Sequence, residues 1–72
     1  MPRFPALKPR DVIAALERAG FVFERQKGSH RMYTKGSRGV TVPYHNKDLK
    51  RKTAKHIIKQ SGLELLEFLA LL

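Results

Sequence analysis

Two glycine-containing turns constrain the middle of this chain more than any other feature. They separate three short segments of β-type composition, at residues 21–26, 29–34 and 40–42. The pair Lys27-Gly28 predicts a two-residue hairpin turn, because glycine readily supplies the positive φ that such turns need. The glycine-rich segment 35–39 predicts a second turn, and Pro43 ends the third strand because proline cannot donate to a sheet. Strands joined by such short turns form an antiparallel sheet.

Amphipathic segments flank these strands on both sides. Apolar residues at helical spacing predict helices over 9–19 and 51–61 and a short last helix from Glu64 to about Leu72. The resulting order, α-β-β-β-α with an added C-terminal helix, predicts an α+β fold with helices on one face of a three-stranded antiparallel sheet. That is the topology of double-stranded-RNA-binding domains. Residues 1–8, which have no periodicity, predict an irregular lead-in to a single domain over 9–72.

Length and composition exclude several classes of protein. A chain of 72 residues forms one domain with a thin core, so a large cleft with its own lid is not expected. With no cysteine, the chain has neither disulfides nor thiolate zinc sites. No apolar run approaches the ~18–20 residues of a membrane span, and residues 1–10 lack a secretory signal. We therefore expect a cytoplasmic protein that does not enter a membrane.

The charge of the chain is concentrated in its central and C-terminal parts. Between Arg25 and Gln60 there are eleven basic residues and one acid, Asp48, which gives +10 there against +9 for the whole chain. Such a surface attracts polyanions, so nucleic acid is the favoured partner, ahead of an anionic membrane surface or an acidic protein. His30 lies within this region, directly after Gly28-Ser29, and a histidine can move protons near neutral pH. RNA held by its phosphates and cleaved by a histidine is the function that these features indicate.

Short motifs at characteristic distances, spread over residues 9–69, resemble one protein family. They are Ala19-Gly20-Phe21, Gly28-Ser29-His30-Arg31, Tyr33, Val40-Thr41-Val42-Pro43, His45, Leu49-Lys50, Thr53, Ile57-Ile58-Lys59-Gln60, Gly62-Leu63 and Glu67-Phe68-Leu69. This pattern resembles the HicA toxins, small RNA-cleaving toxins of bacterial toxin–antitoxin pairs. The resemblance implies ribonuclease activity on mRNA without a bound metal or other cofactor, and a cognate HicB-type antitoxin. The resemblance implies that His30 is the catalytic histidine. The sequence departs from the family pattern at Lys52, where members commonly have glycine.

The predicted hairpin register suggests roles for the neighbours of His30. A turn at Lys27-Gly28 places Arg25 opposite His30, with Phe21, Phe23 and Met32 on the core face; a three-residue loop would exchange the two faces. In this hypothesis His30 is the base that takes the 2′-OH proton, and Arg25 holds the scissile phosphate and favours the neutral imidazole. Ser29 and His45 are candidate supporting residues, His45 as a second acid or as a hydrogen-bonded loop residue.

A set of basic residues is predicted to bind RNA phosphates. Its members are Lys27, Arg31, Lys50, Arg51, Lys52, Lys55 and Lys59. The residues in 50–59 could also be a solvated helix face, but they lack the alternating charges that are typical of such a face. A non-catalytic RNA-binding module and a basic protein that binds an acidic partner are the alternative functions. The leucines after Leu63 either complete the core or form an exposed patch.

Overall fold

The computed structural model describes residues 4–72 and contains three helices and one sheet. In chain order the elements are α1 (Pro9–Arg18), β1 (Val22–Lys27), β2 (His30–Lys35), β3 (Arg38–Pro43), α2 (Arg51–Ser61) and α3 (Leu65–Ala70). The three strands form one antiparallel sheet in the order β1-β2-β3. This arrangement confirms the predicted α+β fold and its α-β-β-β-α order with a short C-terminal helix.

The first hairpin turn lies one residue later than the sequence analysis predicted. Lys27 pairs with His30, so the two turn residues are Gly28 and Ser29. Gly28 has φ +58°, and a positive φ at the first turn position is what a type II′ hairpin requires. The second hairpin has the same kind of turn. Lys35 pairs with Arg38, and Gly36 at the first turn position has φ +59°. The predicted turn over 35–39 is therefore shorter, and β3 begins at Arg38.

The shifted turn changes which side chains share a face of the sheet. The predicted opposition of Arg25 and His30 is wrong, because Arg25 pairs with Met32 and Lys27 pairs with His30. A β-bulge between Phe23 and Arg25 then brings Phe23 opposite Tyr33. We call the face that carries His30 and Met32 the open face, since its side chains are exposed or half-buried.

The core lies on the other face of the sheet, beneath α1 and α2. Tyr33, Val40 and Val42 are buried there. The prediction that Phe23 and Met32 belong to the core face is therefore wrong for Met32. Phe23 does lie on the core side, where its ring makes an edge contact with Tyr33 at 5.7 Å between centroids, but it remains 52% exposed. The amphipathic helix predicted over 51–61 is confirmed as α2, whose buried residues are Ala54, Ile57, Ile58 and Ser61.

The lead-in and the last helix both contribute to this core. Residues 4–8 have no helix or strand, yet Leu7 is buried and its C=O accepts a hydrogen bond from the Leu49 N–H at 2.7 Å. Residues 1–3 of the predicted lead-in lie outside the described residues, and the domain boundary at residue 9 stays a prediction. From α3 only Phe68 is fully buried, whereas Leu66 is 65% exposed. The leucine-rich tail therefore both completes the core and exposes apolar side chains.

Replacing Gly62 by alanine is expected to destabilise the protein. Gly62 ends α2 in the left-handed conformation with φ +78°, which costs a residue with a Cβ about 1–2 kcal/mol. An added Cβ would overlap the Arg38 guanidinium, but Arg38 is exposed and the end of its flexible side chain can move aside at little cost. Urea unfolding measures the loss, and wild-type stability of the variant would contradict a left-handed residue at the end of α2.

Candidate functional site

His30 occupies an exposed position at one end of the sheet. It is the first residue of β2 and lies on the open face, between Lys27 of β1 and Pro43 of β3. Within residues 4–72 its ring has no hydrogen-bond partner, so both ring nitrogens can reach a ligand. The cross-strand position puts the Lys27 ammonium on the same face as the imidazole, since directly opposed residues have Cβ atoms about 4.5–5.5 Å apart.

Two of the three residues predicted to support His30, Arg25 and Ser29, lie in the first hairpin. Arg25 lies on the open face as a diagonal neighbour of His30, typically about 7–8 Å away, and its Nε contacts the Met32 sulfur at 3.0 Å. Ser29 lies in the turn, where its backbone C=O accepts a hydrogen bond from the Tyr44 N–H at 2.5 Å. This bond continues the pairing of β2 and β3 beyond Pro43 and brings the loop 44–50 beside the hairpin.

That loop and the start of α1 enclose a cleft next to the hairpin end. The cleft has a volume of about 310 Å³ and is lined by Lys8, Arg10, Tyr44, His45 and Asn46. Lys8 ties its two walls together, because Lys8 Nζ donates to the Asn46 C=O at 3.2 Å and lies 3.7 Å from Asp48. Neither Lys8 nor Arg10 was predicted from the sequence as a site residue. Their position on either side of Pro9, at the start of a helix, was the signal that could have drawn attention to them.

His45 is oriented by a hydrogen bond within its own loop. Its Nδ1 accepts from the Lys47 N–H at 3.2 Å. A neutral imidazole with Nδ1 as acceptor carries its proton on Nε2. The His45 ring therefore offers an N–H donor at Nε2, which suits contact with a phosphate or base oxygen better than proton abstraction.

Arg31 packs on the side of the sheet that faces the helices. Its guanidinium lies 3.8 Å from the centroid of the Tyr44 ring and 5.8 Å from that of Phe23, and its Nε donates to Gln26 Oε1 at 3.0 Å. Cation–π contact and hydrogen bonding thus both hold this guanidinium. Arg31 therefore points away from the open face and packs against Tyr44, although it directly follows His30 in the sequence.

The basic residues of α2 divide into two groups along the helix. Gly62 at the end of α2 lies against Arg38, the first residue of β3, so the first turn of α2 lies toward the other end of β3, where Pro43 pairs with His30. The cations of this group are exposed side chains, namely Lys50, Arg51, Lys52 and Lys55. Lys59 is also exposed but follows Arg51 by eight residues, about 12 Å further along the helix axis.

The two main helices differ at their N-termini. In α1 the first turn carries Asp11, whose carboxylate accepts from the Lys8 N–H at 3.0 Å. Among the residues that the structure describes, no side chain caps α2, and its first turn has no acid. The positive charges of the lysines and the arginine at the start of α2 are repelled by the positive end of the helix dipole. An anion bound between these cations and the helix start would remove this repulsion.

Over residues 4–72, no group of three His, Cys, Asp or Glu side chains is arranged to hold a metal ion. None of the helices in that range has the length and apolar character needed to cross a bilayer. Of the two tyrosines, Tyr33 is buried in the core and Tyr44 is 40% exposed.

Comparison with known families agrees with the motif pattern around His30. Residues 9–63 match the family described as HicA toxin of bacterial toxin–antitoxin systems. A search of curated proteins found no match. The matched range covers α1, all three strands and α2 through its glycine end, which includes every predicted site residue. The chain belongs to the HicA family of toxins, which implies a cognate antitoxin as its partner.

Proposed function

We propose that this toxin is an endoribonuclease that cleaves mRNA with His30 as its catalytic residue. The observation that carries the proposal is the position of His30, exposed on the open face at the hairpin end with Lys27 directly opposite. A histidine held there for packing alone would be covered by other side chains. An exposed imidazole beside cations is suited to act on a bound phosphodiester.

RNA supplies the nucleophile for this reaction. His30 removes the proton from a 2′-OH, and the 2′ oxygen attacks the adjacent phosphorus. The P–O5′ bond breaks and the 5′ oxygen takes up a proton from water, which leaves a 2′,3′-cyclic phosphate and a 5′-OH. His30 then returns the proton that it removed to the solvent. General base catalysis contributes about 10²–10⁴-fold to such a rate, and cations that stabilise the charge on phosphorus contribute a comparable factor.

Lys27 takes the role that the sequence analysis gave to Arg25. Lys27 is the cross-strand partner of His30, and from there its flexible side chain can bring the ammonium to a phosphate held at the imidazole. Arg25 contacts a more distant phosphate, since it lies one diagonal step along the same face. Ser29 contributes through its backbone, which fixes the loop that carries Tyr44 and His45.

The remaining cations bind the RNA chain on either side of the cleaved bond. Lys50, Arg51, Lys52 and Lys55 surround the uncapped start of α2, where backbone N–H groups and the helix dipole also favour a phosphate. Because this helix start and the hairpin end lie at one end of the molecule, a single strand can contact both. Arg31 acts indirectly, by holding Tyr44 in place.

The toxin acts on mRNA in the bacterial cytoplasm and is neutralised there by a HicB-type antitoxin. A surface of net charge +9 favours an antitoxin with an acidic binding surface. An antitoxin that covers the open face would block access to His30. Growth arrest on expression of the toxin, relieved by co-expression of the antitoxin, is the cellular result that this account predicts.

Purified protein incubated with mRNA and excess chelator tests the proposal. Cleavage that continues in the chelator is expected, because the 2′-OH, His30 and the cations are sufficient for the reaction. A protein that binds mRNA with strong salt dependence but never cleaves it would be an RNA-binding module, and the proposal would be wrong. An RNA affinity that does not change with salt concentration would instead indicate that the basic surface binds a protein partner.

Removing one cation at the start of α2 is expected to weaken RNA binding more than removing one at its end. Lys52→Gln deletes a charge beside the uncapped helix start, whereas Lys59→Gln deletes the same charge about 12 Å away. Each lost phosphate contact lowers the slope of log affinity against log salt by about 0.7 for a single strand. Fluorescence anisotropy at several salt concentrations gives both slopes. Equal slopes would contradict a phosphate site at the start of α2.

A further inference from the structure

The cleft between the start of α1 and the loop after β3 has no role in the chemistry at His30. Its lining combines two cations, Lys8 and Arg10, with an aromatic ring, an imidazole and an amide. Building on the nuclease function proposed above, we propose that this cleft binds one unpaired nucleotide of the RNA substrate, next to the nucleotides at the cleaved bond.

The cleft is continuous with the site through the backbone of the hairpin. Tyr44 donates its N–H to the C=O of Ser29, the residue before His30. The Tyr44 ring packs on Arg31, on the helix side of the sheet, so a strand bound at His30 on the open face enters the cleft by passing around the hairpin end of the sheet. This short connection distinguishes the cleft from a pocket elsewhere on the surface.

Tyr44 is held in position for base stacking. The Arg31 guanidinium lies 3.8 Å from the centroid of the Tyr44 ring, and Tyr44 as a whole residue remains 40% exposed. A ring that is already fixed loses little conformational freedom when a base packs on its uncovered part. Tyrosine stacking of this kind is a common way to bind unpaired bases of any sequence.

The other lining groups match the polar parts of a nucleotide. Arg10 is exposed and has no ion-pair partner among the described residues, so its guanidinium is available for a phosphate. Lys8 is partly neutralised by Asp48 at 3.7 Å and holds the cleft together. His45 offers an N–H donor at Nε2, since Nδ1 accepts from Lys47. The Asn46 amide supplies one donor and one acceptor group for a base edge.

Nuclear magnetic resonance titration of the intact chain with nucleoside monophosphates tests this assignment. Adenosine and cytidine 5′-monophosphate are the probes, and inorganic phosphate and the free nucleosides are the comparisons. The backbone amides of residues 8, 10 and 44–46 are expected to shift with the monophosphates, and more weakly with either part alone. Shifts confined to the start of α2, or equal effects of phosphate and monophosphate, would overturn the nucleotide site.

Variants of the lining separate stacking from charge. Tyr44→Ala is expected to weaken monophosphate binding at least about fivefold, whereas Tyr44→Phe retains it, because only the ring is needed. Arg10→Gln is expected to weaken binding severalfold, whereas Arg18→Gln, a matched loss of charge at the other end of α1 and outside the cleft, has little effect. Since Arg10 is exposed, its variant reports on the cleft even if Tyr44→Ala fails to fold.

The titration does not depend on cleavage, so the two proposals fail separately. Wild-type protein that cleaves RNA without any change at residues 8, 10 and 44–46 would refute the cleft alone. Protein that binds monophosphates in the cleft but leaves RNA intact would refute the nuclease function, and the cleft would stand as a nucleotide-binding site.

Discussion

His30→Ala is expected to slow RNA cleavage at least about 100-fold while RNA affinity stays within about twofold. Loss of a general base removes about 10²–10⁴-fold of rate, whereas the cations that hold the phosphates are unchanged. Because His30 is exposed at the start of β2, its side chain contributes little to folding. Single-turnover cleavage and anisotropy on the same preparation measure both quantities.

A second histidine provides the control for this variant. His56 is exposed on α2, and His56→Ala is expected to cleave at the wild-type rate. In bacteria, expression of the His30 variant is expected to leave growth unaffected, whereas the His56 variant arrests growth as the wild type does. Equal cleavage by wild type and His30→Ala would remove His30 from the chemistry.

Phe68→Ala is expected to cause the largest loss of stability of any single change in α3. Phe68 is 0% exposed and connects the last helix to the core. Deleting a buried phenylalanine side chain costs about 3–5 kcal/mol, a large part of the about 5–15 kcal/mol that stabilises a typical protein. For a domain of this size the melting temperature should fall by more than about 10 °C. Thermal and urea unfolding followed by circular dichroism measure the loss.

Leu66 gives the matched comparison in the same helix. It is 65% exposed, so Leu66→Ala is expected to change stability by less than about 1 kcal/mol. If Phe68→Ala is largely unfolded at the start, Phe68→Leu provides a milder change with a loss of about 1.5 kcal/mol. Wild-type stability in both Phe68 variants would show that α3 is not part of the folded core.

The helices were predictable because their apolar residues recur at helical spacing and glycine follows two of them. The stripe at Ala54, Ile57 and Ile58 lies buried where the period places it. Three strands in antiparallel order also followed from the two glycine turns. These features depend on local sequence alone, so they do not require knowledge of distant contacts.

The hairpin register was not predictable to the same degree. Glycine at the first turn position favours Gly28-Ser29, because a turn at Lys27-Gly28 would need a positive φ at Lys27. The two registers differ by a single residue, and a shift of one residue exchanges the faces of a strand. The bulge between Phe23 and Arg25 then returns Phe23 to the core side. No local pattern indicates that bulge, which depends on how β1 pairs with β2 and how Phe23 meets Tyr33. The repeated Lys-Gly-Ser at both turns was the available signal for the observed register.

The exposure of His30 survives the change of register, whereas the identity of its neighbour does not. A histidine at a hairpin end is solvent-accessible on either face. The cation beside it depends on a single residue of register, so Lys27 replaces Arg25. The cleft could not be predicted from the sequence, because residues 8 and 10 and residues 44–46 are brought together only by tertiary contacts.

The chemical ends of the cleaved RNA test the central claim most directly. Once a cleavage site is mapped, the same oligonucleotide is prepared with a single 2′-deoxynucleotide before the broken bond. The account predicts that wild-type protein leaves a 2′,3′-cyclic phosphate and a 5′-OH on RNA and does not cut at the 2′-deoxy position. Cleavage at that position, or products with a 5′-phosphate, would contradict proton abstraction from the 2′-OH by His30.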